Sequence, residues 1–213
     1  HKNSNALVIK RLLDIFNSKN INLFQKLHHF KGDVRSALDL EKVFKKAKNN
    51  GQEINAVIHF AGLKSVKDSF KDPLSYWDNN LNGTINLLKI MRKFSCKTLI
   101  FSSSATIYFN AQKKFIKEDH FINPINPYGR TKATVEILLK DIYESEVNDW
   151  SIINLRYFNP IGAHCSGKIG ENPIGIPNNI FPLILKVASK KMNELKVYGN
   201  DWNTKDGTCI RDF

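Results

Sequence analysis

Apolar residues recur at helical spacing over 6–16, through Leu7, Leu12, Leu13 and Phe16, and this predicts an amphipathic helix. A short strand is predicted over 28–32, ending in Asp33-Val34, and a helix over 38–49. The continuous apolar run Ala56-Val57-Ile58-His59-Phe60-Ala61 reads as a buried strand, closed by Gly62 where the chain can turn sharply. A long helix is predicted over 75–94, a strand over 97–102, a helix over 128–144 and a strand over 151–158. Strands that alternate with amphipathic helices define an α/β chain, a doubly wound, Rossmann-like parallel sheet with helices on both faces. After Asn159 the pattern gives way to a loop rich in glycine and proline, then a helix over 180–189 and a short strand over 196–198. Two domains are therefore expected, 1–159 carrying the sheet and 160–213 forming a smaller lobe.

Composition narrows the function classes. Hydrophobic residues make up 42% of the 213 residues, enough for a packed core. No apolar run approaches the roughly 20 residues that span a bilayer, so no membrane partner is expected. The formal charge of +12 invites a nucleic-acid reading. Its lysines, however, are dispersed among asparagine and isoleucine rather than interleaved with aromatics, so no nucleic-acid partner is expected. Cys96, Cys165 and Cys209 are odd in number and scattered, which supports neither a disulfide framework nor a zinc site. A reducing, cytoplasmic setting is the expectation, with no bound metal.

Candidate chemistry lies in Tyr128-Gly129-Arg130-Thr131-Lys132 and in Ser102-Ser103-Ser104-Ala105-Thr106. Tyr128 and Lys132, at i and i+4, share one helix face. A phenol is a poor base near neutrality, and a neighbouring ammonium favours its ionised form. A serine delivered at a strand end can orient a reacting hydroxyl. Ligands of doubly wound folds sit at the carboxyl ends of the strands, where Asp33, Phe60-Ala61-Gly62, Ser104 and Phe158-Asn159 are all predicted to fall.

Several segments occur in order and at suitable distances. They include 56–64, Asp78-Asn79-Asn80-Leu81-Asn82-Gly83-Thr84, 102–108, 127–132, Arg156-Tyr157-Phe158-Asn159-Pro160, Gly175-Ile176-Pro177-Asn178-Asn179, and Tyr198-Gly199-Asn200-Asp201 with Asp206-Gly207-Thr208. Together they closely resemble the UDP-glucose 4-epimerase family of extended short-chain dehydrogenases/reductases. The resemblance implies a tightly held NAD, a UDP-sugar substrate, interconversion of UDP-glucose and UDP-galactose in galactose metabolism, and a homodimer. It makes Tyr128 the base, Lys132 the cation that lowers its pKa and holds the nicotinamide ribose, and Ser104 the partner of the sugar hydroxyl. Cofactor contacts would be Asn3, Ser4, Asp33, Val34, Phe60, Ala61, Gly62, Leu63, Lys64, Asn79, Tyr157 and Phe158. In that assignment Lys64 lies near the pyrophosphate and Asp33 accepts from the adenine amino group. Substrate contacts would be Thr106, Asn159, Asn179, Ile180, Lys196, Tyr198 and Arg211, with Arg211 on the diphosphate and Tyr198 on the uracil.

The chain also departs from that family. Phe109 replaces a usual glycine, and Lys196 occupies a position usually small or apolar. None of the glycines supplies the glycine-rich turn after a first strand that meets a pyrophosphate. The chain begins at His1 and ends at Arg211-Asp212-Phe213 with no element closing it. It is therefore expected to be part of a longer epimerase, its sheet lacking the first two strands, and to be inactive as given. Three alternatives stand beside this: an epimerase of a UDP-N-acetylhexosamine or UDP-hexuronate, a 4,6-dehydratase, and a non-catalytic relative. For the dehydratase, Thr106 is followed by Ile107-Tyr108, where that group needs an acid pair.

Overall fold

The computed structural model describes residues 7–17, 27–108, 115–147, 149–171, 173, 177 and 179–210. Asn3, Ser4, Arg211 and Phe109 lie outside the described residues. The chain divides into two compact units, Phe30–Phe158 and His1–His29 with Asn159–Phe213.

In the first unit the order is α2 (Ala37–Asn49), β1 (Ala56–His59), α3 (Val66–Lys71), α4 (Pro73–Tyr76), a π-helical turn Trp77–Asn82, α5 (Gly83–Lys93), β2 (Thr98–Ser104), a 3-10 turn Ala105–Ile107, α6 (Pro127–Ser145) and β3 (Ser151–Tyr157). The strands form one parallel sheet in the order β1-β2-β3, with Val57 beside Leu99 and Leu99 beside Ile152. The second unit contains α1 (Leu7–Asn17) and α7 (Ile180–Ala188).

Helix ends follow local chemistry. Ser36 Oγ accepts from the Asp39 N–H at 3.2 Å to open α2, and Lys46 and Lys48 sit in its last turn, where cations suit the helix dipole. α6 opens on Asn126, whose Oδ1 accepts from the Gly129 N–H at 2.7 Å, followed by Pro127 at the first helical position. The predicted 75–94 helix is present, but as α4 and α5 joined through the π-helical turn.

The core joins Leu87, Leu88, Ile90 and Met91 of α5, Leu99 and Phe101 of β2, Val135 and Leu139 of α6, and Trp150. Leu99 and Phe101 point to the helices, so Ile58 and Ile153, of the opposite parity, face the other way and are 59% and 53% exposed. Helices on both faces and strands buried on both sides, as the apolar runs predict, are thus not observed among the described residues of this unit: α5 and α6 cover one face. Nor do 28–32 or 196–198 form strands. Both segments are short and largely polar, and neither pairs its backbone with a strand among the described residues.

Gly129 marks a close approach. A Cβ there would stand 2.5 Å from the Thr106 carbonyl oxygen and 3.0 Å from Pro124 Cβ. Helix propensity favours alanine over glycine by about 1 kcal/mol, but forcing backbone apart costs up to about 3 kcal/mol. Gly129→Ala is therefore expected to lower stability by about 2 kcal/mol, read as a lower urea midpoint at unchanged m-value. An unchanged or raised midpoint would show that α6 can slide off the 3-10 turn at no cost.

Candidate active site

β2 delivers Ser104 at its carboxyl end, and the 3-10 turn then folds Thr106 back over it. Ser104 Oγ accepts from the Thr106 N–H at 3.2 Å and from Thr106 Oγ1 at 3.0 Å. Tyr128, in the first turn of α6, and Ser104 are each 8% exposed, and the Ser104 hydroxyl favours the ionised form of the phenol. Lys132, one turn further along α6 and 5% exposed, donates through Nζ to the Ser102 carbonyl at 2.6 Å. Its ammonium lies 4.7 Å from the Phe101 ring centroid and 6.0 Å from that of Tyr128. Serine, tyrosine and lysine are thus brought together by two elements at the end of the central strand.

The electrostatics correct one expectation. Burial pushes the Tyr128 phenol above its ordinary value, and only the Ser104 hydrogen bond pulls the other way. Lys132 does not lower it here, because its ammonium is spent on the Ser102 carbonyl and over Phe101 rather than on the phenol. Burial also brings Lys132 itself down to about 8. A buried cation with no carboxylate partner loses its proton more easily.

Behind the lysine runs a chain of buried polar groups that the sequence does not single out. Asn80, 3% exposed, accepts from the Leu63 N–H at 2.8 Å and donates to the Leu63 carbonyl and to Thr131 Oγ1, each at 3.0 Å. It thereby fastens the loop after β1 to α6. Its neighbour Asn79, expected as a cofactor contact, is half-buried. Rings with an extra backbone residue per turn recur at functional positions, and the π-helical turn is what aims Asn80 inward. Gly62 passes close over this point, since a Cβ there would stand 3.1 Å from Asn80 Oδ1 and 3.6 Å from Lys132 Nζ.

Thr84 Oγ1 donates to the Asn80 carbonyl and lies 2.9 Å from His59 Nε2. Its proton is committed, so it accepts from His59, which fixes the Nε2–H form of a neutral ring. Burial, aided by the charge of Lys132, holds His59 down at about 4. The unfolded chain takes up this proton from about pH 6.5 and the folded chain only near 4. Stability is therefore complete above pH 6.5 and declines as pH falls to about 4, by roughly 3 kcal/mol in all. Urea unfolding at pH 7 and 4.5 measures the loss. The acid sensitivity is expected to shrink in His59→Gln, and an unchanged sensitivity there would place its origin elsewhere.

Of the other predicted cofactor positions in this unit, those at 60–64 follow β1 and those at 157–158 close β3, whereas Asp33 and Val34 follow no strand, contrary to expectation. Phe60 and Phe158 are 64% and 41% exposed, and the Phe60 and Tyr157 rings are 6.5 Å apart. Ala61 and Lys64 are exposed, and Leu63 and Val34 are half-buried. Asp33 is exposed, but both its oxygens are engaged by Arg35, whose Nη1 reaches Asp78 at 2.9 Å. That contact holds the Asp33 carboxyl at about 2. In the second unit Asn179 donates to Glu171 at 2.8 Å, and Ile180, Lys196 and Tyr198 are exposed, Tyr198 at 87%. Asn159 belongs to that unit and is half-buried. No group of three metal-ligating side chains occurs among the described residues, and no helix there is long and apolar enough to cross a membrane.

A parallel sheet with serine, tyrosine and lysine gathered at its central strand end defines a Rossmann-like protein of the short-chain dehydrogenase/reductase class. The comparisons with known proteins narrow this. The chain belongs to the family whose model is described as GDP-mannose 4,6 dehydratase, which it matches over residues 1–213. It is 49% identical over 211 residues to the bifunctional UDP-glucose 4-epimerase and UDP-xylose 4-epimerase 1 of Pisum sativum, covering 99% of this chain and 58% of that one. Among solved structures it is similar to UDP-glucose 4-epimerase of Bifidobacterium longum in complex with NAD+ and UDP, with TM-score 0.86 and 43% identity, covering 98% of this chain and 59% of that one. The Stenotrophomonas maltophila UDP-glucose 4-epimerase with bound NAD and formylated UDP-arabinopyranose gives TM-score 0.86 and 40% identity, covering 99% and 59%. The chain thus spans somewhat more than half the length of these relatives.

Proposed function

We propose that the chain carries the catalytic residues of an NAD-dependent UDP-glucose 4-epimerase. The observation that carries this reading is the Ser104–Tyr128–Lys132 constellation at the end of β2, joined to relatives that bear that name. Bound NAD supplies a hydride acceptor that becomes the donor in the return step. Tyr128 takes the proton of the sugar 4-hydroxyl as the C4 hydride leaves, and returns it when hydride comes back to the opposite face of the 4-keto sugar. Ser104 Oγ, already partnered by Thr106, holds the reacting oxygen. Lys132 supplies the positive charge that keeps the phenolate accessible once its ammonium turns from the Ser102 carbonyl.

The residues present fit a flat dinucleotide end. Gly62 leaves the space over Lys132 free of a side chain, and the half-exposed rings of Phe60 and Phe158 offer flat surfaces nearby. Lys132, Gly62, Asn79, Tyr157 and Phe158 would hold the nicotinamide ribose side, and Lys64 the pyrophosphate. Of the substrate-side positions, Thr106, Asn159, Asn179, Ile180, Lys196, Tyr198 and Arg211 are carried by resemblance. So is homodimer assembly. A cytoplasmic location accords with three free cysteines.

Elimination is disfavoured by the fold as well as the sequence. Ile107, following Thr106, is fully buried, so no acid stands there to protonate a leaving hydroxyl. The test is turnover by the protein expressed from its whole reading frame with UDP-glucose, UDP-galactose, UDP-xylose, UDP-N-acetylglucosamine and UDP-glucuronate. Interconversion at C4 of UDP-glucose is expected, and a dehydrated 4-keto-6-deoxy product or no turnover would overturn the reading. The 213 residues expressed alone are expected to be inactive, since they contain no glycine-rich pyrophosphate turn. Recovery of an NAD-containing, active product from them would contradict that.

A further inference from the structure

Ser103, one residue before Ser104 on β2, stands beside Arg156 on β3 in parallel register. Both side chains reach Glu136 of α6. Arg156 grips the carboxylate with Nε at 3.1 and 3.2 Å and Nη2 at 2.7 Å, and Ser103 Oγ donates to Glu136 Oε1. The remaining guanidinium nitrogen donates to Tyr108 Oη at 2.7 Å and to the Glu118 carbonyl at 2.6 Å. Ser103 and Glu136 are 2% and 7% exposed.

Burying an ion pair gains little stability, because desolvation offsets most of the attraction; setting register is its best-attested use. Glu136 lies four residues past Lys132 and eight past Tyr128, so the three share a face of α6. α6 is tied to β2 at two neighbouring points, Lys132 on the Ser102 carbonyl and Glu136 on Ser103. In the proposed reaction the first tie belongs to a working group and must exchange partners. The second touches no reacting atom. Through Arg156 it also holds Tyr108 and the Glu118 backbone, which flank the segment after Thr106.

We infer that Glu136 is a positioning residue, which with Arg156 and Ser103 sets the register of α6 on β2 and so the placement of Tyr128 against Ser104. The inference rests on the epimerase reading for its kinetic consequence only. Glu136→Gln would leave the half-buried Arg156 without its counter-charge, so the informative variant is E136M/R156M, which replaces the pair by apolar side chains. Made in the protein expressed from its whole reading frame, it is expected to stay folded by circular dichroism. It should lose kcat by about ten- to a hundredfold at little-changed KM, as misplacement of reacting groups does. The Tyr128 titration, followed by NMR of isotope-labelled tyrosine and assigned with Tyr128→Phe, is expected to move as well. Ser103→Ala, which leaves the ion pair intact, should move both in the same direction by less. A folded double variant with unmoved kcat and titration overturns the inference. If the double variant unfolds, Ser103→Ala decides in the same way. If the unaltered protein turns over no UDP-sugar, the epimerase reading falls alone and the titration still decides this one.

Discussion

Tyr128→Phe is expected, on the proposed epimerase reading, to lower kcat by about a hundred- to ten-thousandfold, the usual worth of a positioned general base. The fold has no comparable stake in the hydroxyl. Ser104 Oγ keeps its two donors from Thr106 without it, so stability should change by about 1 kcal/mol or less. KM should move little, because the ring still fills its place edge-on to Tyr76, with centroids 6.4 Å apart. Burial raises the phenol in this structure, so only a minor fraction is ionised near neutrality. The rate of the unaltered enzyme should therefore climb as pH rises through the alkaline range, and that limb should vanish in the variant. A variant that keeps more than a tenth of the activity would remove Tyr128 from the role of base.

Lys132→Met should do two opposite things. Activity should collapse, because nothing then stabilises the phenolate, yet the fold should become more stable at neutral pH. Lys132 is buried without a carboxylate, and its ammonium is held down at about 8, against an ordinary value of about 10.5 in the unfolded chain. The unfolded chain therefore binds this proton more tightly. The penalty is complete below pH 8 and fades as pH rises to about 10.5, and it amounts to roughly 3 kcal/mol. The hydrogen bond to the Ser102 carbonyl and the Phe101 ring return part of it, about 2 kcal/mol together. A net gain of about 1 kcal/mol is expected at pH 7, shrinking by pH 10, read from urea midpoints at the two values. Destabilisation at both would mean that the lysine is better paired than its burial suggests. Such a trade, stability given up for a charge the chemistry requires, is common at functional positions.

Much of this site is legible in the sequence. Tyr128 and Lys132 share a helix face by spacing alone, and Ser104 follows an apolar run that is a strand end in fact. Glu136 is open to the same argument, since 128, 132 and 136 follow one another at four-residue intervals. Arg156 stands within a recognised segment, but its partner is 20 residues away and on another element. Asn80 is not marked out in the sequence, because which of adjacent residues turns inward depends on the phase of the helix, and the π-helical turn changes that phase. The 28–32 segment fails as a strand because it is largely polar and no neighbouring strand among the described residues pairs with it.

The three strands of the sheet, the long helices, the capped starts of α2 and α6, and the serine, tyrosine and lysine of the candidate site are all written in the linear chain. These depend on periodicity and on neighbours within a turn or two, which a sequence displays directly. Packing settled the rest: which sheet face is covered, which asparagine ties the β1 loop to α6, and that Glu136 meets Arg156 and Ser103. It also settled the sign of the Tyr128 shift. A phenol four residues from a lysine looks assisted, but desolvation and the competing Ser102 carbonyl arise only in three dimensions, where groups far apart along the chain are brought together.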